Sequence, residues 1–253
     1  MTELNIPLEI YPFFLLVAFL YSSVGHGGAS GYLAIFALFG VTSPAIAPIA
    51  LALNIVVAST SCFNYYRGGY FSLELLLPFI VSSVPAAFLG GFVSIPQMVF
   101  SVLLGIALLL AAVRIAFLTR TVGEVSHPAR RTLWFWGLTI GATLGLVSGM
   151  VGIGGGVFLS PLLLLLRWAD VKRTAATSAA FIVLNSVSGL SGHIARSNFD
   201  AGSALPLAVV VIVGGYAGSR LGAHNFPARA LQGLLAIVLV LACVKLIGKM
   251  LLM

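Results

Sequence analysis

Two short stretches hold most of the residue types that could do chemistry. Residues 24–31 read VGHGGASG and residues 151–156 read VGIGGG. Each interrupts a long apolar run, 11–40 in the first case and 132–166 in the second. Glycine inside a helix costs ~1 kcal/mol relative to alanine, so each cluster predicts a break. Where a helix restarts, its first N–H groups lack an intrahelical acceptor and sit at the positive end of the helix dipole. That arrangement binds anions without a full positive charge. The predicted restarts lie around Gly27, Gly28 and Ser30, and around Gly154, Gly155 and Gly156. Gly25 and Gly152 let backbone or ligand approach closely. Ser23, Ser30 and Ser148 supply candidate hydroxyl donors.

His26 stands inside the first break, and Ile153 takes its place in the second. An ionisable group at this depth is a candidate for function. An imidazole titrates near neutrality, so His26 can hold an anion, carry a proton or simply pack. Asn54 and Asn185 are amides in the middle of otherwise apolar segments, placed to flank the two breaks. Thr177, Ser178, Ser186 and Ser188 extend that polar lining, while His193 reads as a boundary residue. No Asp or Glu falls mid-segment, since Glu74 and Asp200 lie at segment ends. A carboxylate proton relay and a sodium site built on Asp therefore have no support. Neither a Ser–His–Asp set, an HExxH nor a P-loop is present, so no enzymatic or ATP-driven reading follows. No metal site or cofactor is implied. Cys62 and Cys243 lie in different apolar segments without ligand spacing, and read as packing residues.

The elements that must position these residues are membrane helices. The 253 residues are 60% hydrophobic and 8% charged, with a mean hydropathy of +1.13. Soluble domains carry about 25% charged residues, so this chain must dissolve in a lipid bilayer. The net charge of +7 does not indicate nucleic acid, because Lys and Arg are sparse and sit at segment ends. The first residues carry Glu3 and Glu9 and no Lys or Arg, so no cleavable signal is read there. A crossing helix needs about 20 apolar residues. Candidate spans are 44–66, 72–92, 97–118, 174–193, 203–222 and 229–251.

The chain repeats internally. Val24-Gly25-His26-Gly27-Gly28 aligns with Val151-Gly152-Ile153-Gly154-Gly155 at an offset of 127. Leu53-Asn54 aligns with Leu184-Asn185, and residues 103–114 with 234–245, both at an offset of 131. Each half is a Gly-broken segment followed by three plain helices. The expected division is a first membrane repeat over 1–118, a linker over 119–131 and a second repeat over 132–253. Duplicated halves with interrupted helices in matching positions point to a transporter with its site at the interruptions.

Positive charge selects a topology. If each broken run crosses once, the halves are parallel and the basic residues split eight against five. If each is a hairpin, the halves are inverted and the split is ten against three. The side with ten holds Arg67, Arg114, Arg120, Arg130, Arg131, Arg167, Lys172, Arg173, Arg220 and Arg229. The hairpin arrangement fits the positive-inside rule better and puts both termini outside. The expected fold is thus an all-α integral membrane protein of two inverted repeats.

A short hydrophobic chain in two related halves, opening with GHGGASGYL and GMVGIGGGVFLSPLL, resembles the TauE/SafE sulfite-exporter family. The resemblance covers nearly the whole chain. Gly152, Gly154, Gly155, Gly156 and Pro161 fall on the second-half motif, and Gly25, Gly27 and Gly28 on the first. It implies a multi-pass transporter of the bacterial inner membrane that exports a small sulfur-containing anion, such as sulfite or an organosulfonate, by alternating access. A passive anion channel, or an importer of a related solute, is the alternative. The apolar surface would also accommodate a homodimer.

Overall fold

The computed structural model describes residues 7–23, 25–41, 45–117, 125–126, 128–196 and 201–222. The predicted span 229–251, Cys243, and Arg120, Arg229, Lys245 and Lys249 lie outside the described residues, as does most of the predicted linker. The described elements are helices: α1 (Tyr11–Ser22, led in by the 3-10 turn Leu8–Ile10), α2 (Ala29–Leu38), α3 (Ile46–Arg67), α4 (Leu73–Phe92), α5 (Gln97–Phe117), α6 (Arg130–Val151), α7 (Gly156–Leu165), α8 (Val171–Arg196) and α9 (Ala201–Gly222). No strand occurs among the described residues. Helices α3, α4, α6, α8 and the Ala204–Leu221 stretch of α9 are each long and apolar enough to cross a membrane. The chain is an all-α integral membrane protein.

Apolar side chains supply little driving force between helices in lipid, so packing depends on close backbone approach. Helix α6 provides it with Gly137, Gly141, Gly145 and Gly149, four residues apart and hence on one face. A Cβ on Gly141, Gly145 or Gly149 would strike the carbonyl of Phe79, Ser83 or Ala87 of α4 respectively. Partner numbers rise together, so α6 and α4 run parallel. Gly214 and Gly218 of α9 meet the carbonyls of Leu15 and Phe19 of α1 in the same parallel sense. Helix α8 follows α4: Ser188 Oγ donates to Val84 O (2.6 Å) and Arg196 to Val93 O (2.8 Å). Helix α9 follows α3, with Gly215 against Val57 and Asn64 Nδ2 donating to Ser219 Oγ (2.8 Å). Helices α3 and α8 pair in opposite senses, with Leu51 near Gly189, Asn54 on Ser186, and Tyr65 beside Ala175. Helices α1, α3 and α9 therefore point one way, and α6, α8 and α4, their sequence matches, point the other.

Both broken runs fold back on themselves. Phe14 stacks on Tyr32 (5.0 Å between centroids), and Phe13 near the start of α1 meets Phe39 just past α2 (5.9 Å). In the second run, Ser126 N donates to Arg167 O (2.7 Å), which brings the approach to α6 beside the end of α7. The two runs differ in length. The first arm is the 12-residue α1 in one and the 22-residue α6 in the other, so only the first hairpin has two short arms. The glycine ladder explains the difference, because α6 packs on α4 along its whole length.

These directions place Arg67, Arg130, Arg131, Arg167, Lys172, Arg173 and Arg220 at one end of the bundle and Arg196 at the other. At the basic end, Lys172 Nζ donates to Tyr70 Oη (3.0 Å), and Asp170 pairs with Arg173 (3.8 Å).

Candidate functional site

The two breaks share backbone geometry. Gly28 and Gly155 are the N-caps of α2 and α7, with φ of 97° and 76°. That left-handed region strongly favours glycine, which explains why these positions carry no side chain. Gly25 and Gly152 are left-handed too, and they dock crosswise: Gly25 against Ala175 of α8, Gly152 against Ala47 of α3. Each break thus seats on the central helix of the other half.

Asn54 joins the two breaks. Its Oδ1 accepts from Ala29 N at the start of α2 (3.2 Å). Its Nδ2 donates to Ile153 O in the second break (3.2 Å) and to Ser186 Oγ on α8 (3.0 Å). The amide lies between Gly27 and Gly154, where a Cβ on either glycine would collide with it. Asn54 is eight residues into the 22-residue α3, about 12 Å along a helix about 33 Å long at 1.5 Å per residue. The breaks therefore meet deep inside the bundle.

Asn185, its sequence match, is placed differently. Its Nδ2 donates to Phe181 O of its own helix (2.8 Å), and its buried Oδ1 has no hydrogen-bond partner. The breaks thus share backbone form, and their amides do different work.

His26 is 3% exposed and its Nε2 lies 2.9 Å from Ser160 Oγ of α7. Ser160 Oγ also contacts Gly156 O (3.1 Å) and Ser178 Oγ of α8 (2.7 Å). A hydroxyl has one hydrogen and two lone pairs. Ser160 spends its one hydrogen on the Gly156 carbonyl or on Ser178 Oγ, which leaves it an acceptor toward His26 Nε2. The geometry therefore favours a proton on Nε2. Nothing in the apolar sequence around Ser160 marked it, beyond its place one turn into the half-helix.

The other candidate hydroxyls are occupied locally. Ser23 Oγ donates to Leu20 O (2.7 Å) and Ser148 Oγ to Gly145 O (3.0 Å). Ser30 Oγ lies 2.9 Å from Tyr21 Oη, and Tyr32 Oη donates to Gly27 O (3.2 Å). Tyr21 and Tyr32, which sequence reasoning passed over, thereby brace the first break. His193 is buried near the end of α8, with Nε2 2.9 Å from Gly149 O, so it ties α8 to α6.

The start of each half-helix keeps free donors. Ala29 N is taken by Asn54, but among the described residues no acceptor meets the N–H of Gly27, Gly28, Ser30 or Gly31. The same holds for Gly154, Gly155, Gly156 and Val157. Residues 25–37 and 151–157 are all buried, so these donors are sealed from solvent. Buried unsatisfied N–H groups are rare in folded proteins. Eight of them at two helix starts concentrate positive potential.

The family model described as sulfite exporter TauE/SafE matches residues 10–246. The chain is 35% identical over 241 residues to "Probable membrane transporter protein y4hK" of Sinorhizobium fredii, covering 92% of this chain and 95% of the relative. It is 24% identical to "Probable membrane transporter protein MJ0441" of Methanocaldococcus jannaschii, over 85% of this chain and 86% of that one. It is 26% identical to "Probable membrane transporter protein YunE" of Bacillus subtilis, over 83% of both. No solved structure matches the chain.

Proposed function

This chain belongs to the sulfite exporter TauE/SafE family of membrane transporters, and from that premise we propose that it exports a small sulfur-containing oxyanion, of the sulfite or organosulfonate class, by alternating access. The observation that carries the reading is the pair of half-helix starts whose eight buried N–H groups meet no acceptor among the described residues. They supply hydrogen bonds and positive potential to an oxyanion. A cation would meet only repulsion there. His26, reaching from the first break to Ser160 of the second half, adds a proton or a charge at the same depth. Asn54 holds the two starts together.

The reading includes two inverted repeats, 1–118 and 132–253, and alternating access uses that symmetry. What supports it is the opposite direction of α1, α3 and α9 relative to α6, α8 and α4. The basic end is then cytoplasmic by the positive-inside rule, which puts both termini in the periplasm of an inner membrane.

The test is flux in proteoliposomes. The expected result is saturable sulfite or organosulfonate flux with counterflow, lost in Gly155→Leu and reduced at least tenfold in His26→Ala. Wild-type flux in both variants would overturn the site assignment, and flux linear to high concentration would replace the carrier with a channel.

A further inference from the structure

Helix α8 carries polar side chains at Thr174, Thr177, Ser178 and Asn185. The first three are spaced i, i+3 and i+4, which makes them neighbours on one helix face, and Asn185 lies two turns further along it. All four are at most 2% exposed. Ser178 is bonded to Ser160, and so to His26. Thr174 Oγ1, Thr177 Oγ1 and Asn185 Oδ1 have no hydrogen-bond partner among the described residues. Hydroxyls inside membrane helices ordinarily donate back to the preceding turn. Several others in this protein do: Thr139 Oγ1 to Phe135 O (3.0 Å), Thr143 Oγ1 to Thr139 O (3.1 Å) and Ser191 Oγ to Val187 O (2.8 Å), while Ser83 Oγ of α4 is a lone exception among the described residues outside α8. What sets α8 apart is that three orphaned polar atoms share one row, and each carries an uncompensated desolvation cost.

The row has a direction. It begins in the first turn of α8, at the end that holds Arg167, Lys172 and Arg173, and ends at mid-depth. Eleven steps of 1.5 Å make about 16 Å, roughly half the hydrocarbon thickness of about 30 Å. Its ends have polar counterparts in the first half, Ser43 for Thr174 and Asn54 for Asn185, but its middle does not. At the offset of 131, Ile46 and Ala47 stand where Thr177 and Ser178 stand. The first half therefore does without hydroxyls at the places of Thr177 and Ser178.

We propose that this row on α8 is the half-path by which the transported oxyanion passes between the central site and the basic end of the protein. Thr174, Thr177 and Ser178 offer hydroxyl hydrogens to the anion's oxygens, and Asn185 Oδ1 accepts from its hydration shell. These groups are orphaned because the path is shut in this conformation, and opening it exposes them to water and anion. The basic residues at its outer end concentrate anions at the mouth. The inference rests on the transport reading above.

Single cysteines at positions 174 and 177, on a Cys62→Ser and Cys243→Ala background, test it in proteoliposomes with a charged, membrane-impermeant thiol reagent. Expected is modification at least tenfold faster from the basic end than from the other, slowed by sulfite. A cysteine at Val187, whose side chain is 47% exposed on the bundle surface, stays unmodified. In parallel, Thr174→Val and Thr177→Val should each lower sulfite flux at least fivefold with an unchanged or higher melting temperature, because no bond is lost. Thr→Ser at either position should restore flux. Cysteines inert from both sides, or Val variants with wild-type flux, overturn the half-path. Labelling needs no sulfite, so a wild-type protein that fails to carry sulfite would refute the substrate while leaving the path measurable.

Discussion

Asn54 and Asn185 occupy matching places in the two halves, yet the structure assigns them unequal work. Replacing Asn54 by alanine removes three hydrogen bonds, to Ala29 N, Ile153 O and Ser186 Oγ. Side-chain hydrogen bonds between membrane helices average about 0.6 kcal/mol each, which gives about 2 kcal/mol for the three. Stranding the buried Ile153 carbonyl and Ala29 amide adds about 1 kcal/mol or more, so Asn54→Ala should cost about 3 kcal/mol. Asn185→Ala removes one bond within its own turn, to Phe181 O, and strands nothing across helices. Its cost should stay below about 1 kcal/mol. The difference, about 2 kcal/mol, is roughly 30-fold in the unfolding equilibrium, since 1.4 kcal/mol is tenfold. Reversible unfolding in mixed micelles, followed by circular dichroism, measures it. Equal costs for the two alanines would refute the claim that Asn54 alone bridges the breaks. A double-mutant cycle of Asn54→Ala with Ser186→Ala should show a coupling near 0.6 kcal/mol, and additivity would remove the Asn54–Ser186 bond from the account.

Three further outcomes are expected. Gly145→Leu drives a side chain into the Ser83 backbone of α4; overpacking of this kind costs about 1–3 kcal/mol, read as a lower melting temperature in detergent, whereas Gly40→Ala meets open space and should show only the left-handed backbone penalty of about 1–2 kcal/mol. Gly28→Ala combines a φ of 97° with a clash against the Tyr32 ring, so it should lose flux and about 2 kcal/mol of stability together, and a silent variant would show that the cap can relax. Ser160→Ala should shift the His26 ring resonances in a nitrogen-resolved NMR spectrum, because it removes the partner of Nε2; an unchanged spectrum would refute the Nε2–H assignment.

The sequence made the breaks legible because their cause is local. A glycine with left-handed φ is written in the chain, and the repeat wrote it twice, at Gly28 and Gly155. The hairpin arrangement is an expectation drawn from charge, since the positive-inside rule acts on position along the chain. Of the ten basic residues assigned to one side, seven lie on elements whose direction places them at one end of the bundle. Partners were not legible. Ser160 is one hydroxyl in an apolar helix until folding brings His26 and Ser178 to it, and nothing in the residues around Asn54 and Asn185 says that only one spans both breaks. The glycines of α6 at every fourth position were visible, but their meaning depends on α4 lying against them. What the repeat conceals is its own asymmetry. A perfect duplication would cap α7 with Asn185 as Asn54 caps α2, yet here Asn54 is fully engaged and the Asn185 oxygen is idle. On the alternating-access mechanism proposed above, two equivalent amides in unequal states are what one conformation would show. The opposite conformation would exchange them, with Asn185 taking the N–H of Gly156 and Asn54 releasing Ala29. Trapping that state with a cysteine pair between α7 and α8 should therefore abolish the stability difference between the two alanine variants or reverse it, and a difference that survives the trap would show the asymmetry to be fixed in the sequence.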